Sequence, residues 1–364
     1  MLSRVVEPGA VHPARSAAIR DPRYRRESNQ RAHPGTNTYL LGRRPPYILL
    51  DTGEGKPAYL PVLAQALTQD HPAPPPDGAY VSDVILSHKH PDHHAGLPSV
   101  LALLKQLATR HGAQQAGDRD RDAHPYAPPR VHKFASPSAQ AQTPDRWDAL
   151  LDASLRAIAP ELLAPPPAAR ALGGSPELRR VHGIAHGQEF TLTGEGEDED
   201  GARGPVVRVV HTPGHTDDSI CLVLPADRAL FTADSVLGHG TAVFEDLAQY
   251  LASLQHLAAL GAATLYPGHG PVVENGAAVI QQYIAHRMER EAQLLEVLGS
   301  RHAGAGEGAG EGGCWTVDQL LEKVYPPHVW EMARRGVLLH LHKLEVDGKV
   351  SKSQREGVDA WALS

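Results

Sequence analysis

Cysteine is nearly absent: Cys221 and Cys314 are the only two in 364 residues. That excludes a disulfide framework and a cysteine-based metal site. No run approaches the ~18 uninterrupted apolar residues of a membrane-spanning helix, so no membrane partner is expected. Aromatic residues are only 5% of the chain, and no aromatic-rich strand of the base-stacking kind stands out. A basic excess is also missing. Lys and Arg number 35 against 42 Asp and Glu, a net charge of −7. This excludes a strongly basic whole-chain nucleic-acid binder and leaves room for a local patch. What is present is a 41% apolar content, enough for a packed core. Gly (34) and Pro (31) make up about 18% of the chain, against a usual ~12%, so loops are long or numerous. Histidine, at 22, is abundant, and imidazole is the commonest metal ligand. The length corresponds to two or three domain-sized units.

Residues Met1–Arg31 hold seven arginines, interspersed with Glu7, Asp21 and Glu27. The acidic residues weaken a transit-peptide reading. Leu2–Val6 reads equally well as a first strand. A soluble cytoplasmic protein is the default expectation, with a mitochondrial address open. The oligomeric state is also open.

Two apolar runs, Thr38–Leu41 and Tyr47–Leu50, flank a Gly-Arg-Arg-Pro-Pro turn and predict a hairpin. Leu60–Leu67 follows as a short helix. A compact strand over 81–87 runs into His88-Lys89-His90-Pro91-Asp92-His93, and Leu97, Val100, Leu101 and Leu104 then mark an amphipathic helix. The stretch 111–180 is rich in Pro, Ala, Asp and Gly, and reads largely as a partly disordered insertion. Within it, Arg130–Phe134 is a candidate strand and Trp147–Ile158 a candidate helix. The acidic run Glu195–Asp200 reads as a solvated loop tip. Strands are expected at Val206–Val210, Ser219–Leu224, Ala229–Thr232 and Thr264–Tyr266. Helices are expected around Leu247–Leu254 and from an Asn275 cap to about Leu298. A Gly/Ala linker over 301–313 then precedes helices at Thr316–Val324 and His328–Leu344, and a turn at Asp347-Gly348. These assignments place a main domain over 1–300 and a small winged-helix-like domain over 314–364.

Four strand ends each deliver His or Asp into the following loop: His88, His90, Asp92 and His93; His215; Asp234; and His269. All seven are N or O donors of the kind that hold Zn²⁺. The i, i+2 spacing of His88 and His90 turns two imidazoles to one side of an extended loop. Asp92 and His93 reach a second point nearby.

The first segment fits the His-x-His-x-Asp-His signature of metallo-β-lactamase-fold hydrolases. Thr212-Pro213-Gly214-His215-Thr216, Asp234 and Gly268-His269-Gly270 match the later motifs in order. The resemblance implies an α/β protein, an αββα sandwich with two metals at one edge. It places His88, His90 and His215 on the first metal, and Asp92, His93 and His269 on the second, with Asp234 bridging. Gly35–Leu40, Leu50–Glu54, Gly238–Leu247, Tyr266–Pro271, Tyr283–Arg287 and His340–Leu344 look like the lactamase-β-like protein 2 family. Its animal branch consists of single-strand-specific endoribonucleases. Fungal relatives include polyketide thioesterases acting on acyl carrier proteins. Three positions depart from the pattern: Ala233 stands where glycine is usual, Lys89 where tryptophan is usual, and Pro91 where a small or polar residue is usual. Ala233 is costly if its φ is positive. Lys89 is unfavourable beside two cations unless it points away.

The resemblance implies two Zn²⁺ ions, with Mn²⁺ or Fe²⁺ open, sharing a hydroxide as nucleophile. Asp92 is the candidate catalytic residue, orienting that hydroxide as well as binding metal. Single-stranded RNA is ranked slightly ahead of an acyl thioester as substrate. A glyoxalase-II-like thioesterase and a true β-lactamase rank lower. A non-catalytic metal-bound RNA or protein adaptor is the alternative of another class. RNA cleavage predicts a basic cleft, and thioester hydrolysis an apolar pocket. His94, His211, His239, His286, Arg287 and Cys221 are read as packing or surface residues, and Asp51 as a structural hydrogen-bonding group. Arg334, Arg335, Lys343, Lys349, Lys352 and Arg355 are interleaved with acids and read as a solvated face.

Overall fold

The structure, a computed structural model, describes residues 17–19, 35–42, 44–68, 79–115, 126–136, 145–173, 175–193, 205–300, 313–355 and 357–364. Leu2–Val6, the acidic run Glu195–Asp200 and the linker over 301–312 lie outside the described residues. The chain divides into two compact units, 1–242 with 261–276, and 243–260 with 277–364.

The first unit holds two six-stranded sheets. One has the order β1 (Ala17–Ile19), β2 (Thr38–Leu41), β3 (Tyr47–Leu50), β4 (Val81–Leu86), β5 (Arg130–Phe134) and β6 (His182–Ile184). Its β2–β3 hairpin is antiparallel, and β3 through β6 pair in parallel. The other runs β12 (Val273–Glu274), β11 (Thr264–Pro267), β10 (Ala229–Ala233), β9 (Ile220–Leu224), β8 (Val206–His211) and β7 (Glu189–Thr191).

The central strands of the first sheet are largely apolar because both faces are buried. Alternate residues go to two cores. Tyr39, Leu41, Ile48, Leu50 and Ile85 face the second sheet, meeting Val207, Val209, Ile220, Leu222 and Phe231. Leu40, Tyr47, Leu49, Val84 and Leu86 pack against helices α1 (Tyr59–Thr68), α3 (Leu97–Gln115) and α4 (Arg146–Arg156). Helix α2 (Pro91–His94) is a single turn after β4.

Part of the stretch that composition marks as an insertion belongs to this sheet. Strand β5 lies between β4 and β6, and α4 supplies Leu151 and Leu155 to the core. The strand stands where the sequence places the candidate Arg130–Phe134, although two of its buried members are polar. His132 and Lys133 are 5% and 2% exposed, and both are paired with carboxylates.

The second unit contains α5 (Leu247–Ala259), α6 (Gly276–Gly299), α7 (Val317–Val324), α8 (Trp330–Val346) and a three-stranded sheet, β13 (Trp315–Thr316), β15 (Val358–Leu363) and β14 (Val350–Arg355). Thr316 and Gln319 form a capping box that starts α7. Leu320, Leu321, Val337, Leu341, Leu344, Val350 and Trp361 close a core of their own with Leu294 and Leu298. Asn275, expected as an N-cap of α6, instead has a positive φ of 55°. Among the described residues, no helix is long and apolar enough to cross a membrane.

Candidate metal centre

Each of the seven donors follows a strand whose position packing has already set. His88, His90, Asp92 and His93 come after β4. His215 follows β8, Asp234 follows β10 and His269 follows β11. Between β10 and β11 the ladder shifts register between Phe231 and Ala233. That irregularity, with Ala233 at φ +43°, re-aims the chain just before Asp234. The Ala233 φ is therefore the costly one. Gly268 has no room for a side chain: an added Cβ would lie 2.3 Å from Asp234 Oδ1 and 2.9 Å from His93 Cε1. Asn37 fastens the His269 loop, its Nδ2 donating to the carbonyls of Pro267 and Gly270 at 2.9 Å each.

The structure brings all seven residues together in three overlapping groups. His88 Nε2, His90 Nδ1 and His215 Nε2 form a triangle with edges of 3.0–3.2 Å. A tetrahedral ion with nitrogen ligands at ~2.05 Å has donor–donor edges of about 3.3 Å. On the other side, His269 Nε2 lies 3.1 Å from Asp92 Oδ2 and 3.3 Å from Asp234 Oδ2. His93 Nε2 is 3.4 Å from both Asp92 Oδ2 and Asp234 Oδ1. Asp234 Oδ2 also stands 3.7 Å from His215 Nε2, so this carboxylate lies between the two groups.

The buried polar atoms fit a metal ion. His93 Nε2 and Asp234 Oδ1 are buried without a hydrogen-bond partner. The backing network says which ring nitrogens turn inward. Asp51 Oδ1 accepts from Ser87 N at 2.8 Å, and Oδ2 accepts from Ser87 Oγ and His93 Nδ1 at 2.7 Å each. Ser87 Oγ, its proton given to Asp51, accepts from His88 Nδ1 at 3.0 Å. Both imidazoles thus commit Nδ1 to this network and turn Nε2 inward, where a cation would replace any proton on it.

Charge divides the site. Burial, aided by His93 and His215, pushes His88 well below the ordinary imidazole value. Burial with His215 and His93 takes His90 down to about 4. Both are neutral at pH 7, the ligating form. Burial opposes charge on His269, but hydrogen bonds with Asp234 and Asp92 win and raise it to about 10. Burial likewise opposes charge on His93, and Asp92, Asp234 and Asp51 together hold it well above its usual value. Burial disfavours the Asp92 and Asp234 carboxylates, yet His93 and His269 keep both below the usual range. Cations exchange for protons in such a site.

Lys89 does not face the site. It is 1% exposed, and its Nζ reaches Asp145 at 2.7 Å and Asp217 at 2.9 Å. His94 is turned away as well, meeting Ser154 Oγ and the Lys89 carbonyl. His211 stacks on Phe134 at 4.0 Å, and Cys221 is buried in β9. His239 is exposed. Arg287 lies over the Phe244 ring, while Lys343 and Lys349 share Glu291. Sequence reasoning did not find Lys133, which pairs with Asp218 below the His215 loop, nor Trp147, whose ring meets that of His90 edge-on at 4.8 Å.

Two sheets, helices against them and a His/Asp cluster at the strand ends define a hydrolase of the metallo-beta-lactamase superfamily. The profile of that superfamily matches residues 33–269, and the chain belongs to it. A beta-lactamase-associated winged helix domain matches residues 316–361. Among its relatives is a beta-lactamase-like protein 2 homolog of Drosophila melanogaster, 34% identical, with 88% of this chain and 87% of that one covered. An atrochrysone carboxyl ACP thioesterase of Emericella nidulans is 29% identical, over 93% of this chain and 84% of the other. The fold matches a beta-lactamase domain protein from Burkholderia ambifaria, with a TM-score of 0.59 at 18% identity, covering 96% of this chain and 92% of that chain.

Proposed function

We propose that this chain is a two-zinc hydrolase of acyl thioesters. His88, His90 and His215 would hold the first ion and Asp92, His93 and His269 the second, with Asp234 placed between the two groups. The observation that carries the metal reading is the pair of buried, unpartnered atoms, His93 Nε2 and Asp234 Oδ1, that face each other at 3.4 Å. The N and O donor set suits zinc. Bound there, such ions supply a Lewis acid and an activated water.

The chain's own groups do the rest. Asp92 orients the attacking water, its carboxylate held ionised and steadied by the Thr36 hydroxyl, which donates to Oδ2 at 3.1 Å. Were all seven donors committed to ions, none of them would be left as a general acid. A thiolate leaving group, of pKa about 8.5, departs without one. A ribose alkoxide, a far stronger base, would depend on the ions themselves to stabilise its charge.

Two further observations favour the thioester over RNA. Lys89 and Lys133, the lysines nearest the donors in sequence and strand order, are each neutralised by carboxylates. The Emericella nidulans relative is named as a thioesterase. The test is turnover of N-acetylcysteamine and acyl-carrier thioesters by the zinc-loaded chain, with Asp234→Asn beside it and single-stranded RNA as the competing substrate. Thioester hydrolysis lost in the variant is the expected result. RNA cleavage lost in the variant, with no thioester turnover, overturns it in favour of a nuclease. Full zinc occupancy without turnover of either substrate overturns it in favour of an adaptor.

A further inference from the structure

Lys89 sits between two candidate ligands, and consecutive side chains of an extended loop point to opposite sides. His88 and His90 turn inward, so Lys89 turns out and away. It meets Asp145, whose other oxygen, Oδ1, accepts from the backbone N–H groups of Trp147 and Asp148 at 2.7 and 2.9 Å. One carboxylate therefore caps α4 and binds the metal loop. Asp217, the second partner of Lys89, also accepts from Ser136 Oγ at 2.9 Å, and its carbonyl faces His211 Nε2 at 2.9 Å. A buried ammonium held by two carboxylates is expensive to separate from them. The start of α4 is thus tied to the residue between His88 and His90.

The first turn of α4 carries two residues with no structural duty of that kind. Trp147 is half-buried and meets the His90 ring edge-on. Arg146 is exposed, and its guanidinium carbon lies 4.0 Å from the Trp147 ring centre. Arg146 has no ion pair among the described residues. A guanidinium held over an indole face by its carbon still has N–H groups to offer a carboxylate or phosphate.

We propose that Trp147 and Arg146 form the substrate-recognition wall beside His90, that the Lys89–Asp145 pair holds this wall on the metal loop, and that Arg146 takes an anionic group of the substrate. Lys89 is a positioning residue, whereas Trp147 and Arg146 touch the substrate. The anion has two chemical sources, a carboxylate on the acyl group or the phosphate of a phosphopantetheine carrier. The proposal rests on reading His88, His90 and His215 as a cation site, and not on thioester turnover.

The test uses the full chain and non-hydrolysable thioethers. Metal content is measured first. A chain holding no cation fails the metal reading, a result distinct from any failure in probe binding. Trp147 is one of four tryptophans, so Trp147→Phe isolates its emission by difference. Co²⁺ in place of zinc is expected to quench that emission. Three probes are then titrated: a neutral butyl thioether of N-acetylcysteamine, a carboxylate-bearing one, and a butyl thioether of 4′-phosphopantetheine. At least one anionic probe is expected to bind more tightly than the neutral one. Arg146→Ala is expected to weaken that probe about tenfold and leave the neutral probe unchanged. The probe that responds names the source of the anion. Asp145→Asn is expected to keep the cation content, weaken all three probes and reduce the Co²⁺ quench. Equal affinities for all probes in Arg146→Ala and the parent, or Trp147 emission indifferent to Co²⁺, overturn the proposal.

Discussion

Asp51 Oδ2 and His93 Nδ1 lie 2.7 Å apart, both fully enclosed, 42 residues from each other in the chain. The carboxylate also takes the Ser87 hydroxyl and N–H, so it sets the tautomer of His93 directly and that of His88 through Ser87. Asp51→Asn keeps the shape and loses the charge. Loss of such an orienting partner typically lowers metal affinity about 10–100-fold. Competition with a fluorescent chelator reads this. An unchanged affinity would mean that Asp51 serves the fold alone.

Gly268→Ala places a methyl group against Asp234 and His93. Misplacement of about 1 Å at a reacting centre costs on the order of 100-fold in rate. A fall of that size in kcat/KM is expected, together with weaker binding of the second of the two proposed ions. Isothermal titration separates the two ions by stoichiometry.

Ala233 lies at φ +43°, where a methyl side chain is strained and glycine is not. Ala233→Gly is expected to stabilise the protein by about 1 kcal/mol. The measurement is the urea midpoint of the chelated protein, so that ion binding does not contribute.

Asp83 contributes to the pH dependence away from the metal donors. Burial disfavours its carboxylate, but His132 and Arg130 hold it below the usual range. Oδ1 meets Arg130 Nε and His132 Nε2 at 2.7 Å each. A carboxylate depressed by folding adds stability above the unfolded pKa near 4, which is lost as the pH falls below it. Asp83→Asn is expected to cost about 3 kcal/mol at pH 7 and to flatten the acid limb of the unfolding curve. Thermal unfolding from pH 7 to pH 3 gives both.

The strand-end donors are legible in the sequence because each stands where an apolar run stops, and a run's end can be read without knowing its partners. The period of the helices at α3, α6 and α8 is legible for the same local reason. Lys89 is not. Beside two candidate ligands its charge reads as a liability, and its partners Asp145 and Asp217 lie far along the chain. Strand β5 is legible at its own bounds, but not the burial of its polar members: Lys133 and His132 look solvent-bound until Asp218 and Asp83 come to meet them. Asp51 shows as a hydrogen-bonding residue at a strand end, but its hold on two ligand tautomers depends on Ser87 and His93 arriving together.

The donors are split between the sheets: four follow β4 of one, and three follow β8, β10 and β11 of the other. On the proposed reading, an ion held by both halves would be a rivet across the sandwich. By mass action, it adds about 4 kcal/mol to folding when free ion exceeds the dissociation constant a thousandfold. The melting temperature of this chain should climb with the logarithm of zinc concentration, and its lifetime in a cell should follow the cell's supply of the ion. Scarcity would remove the protein itself, and not merely silence it.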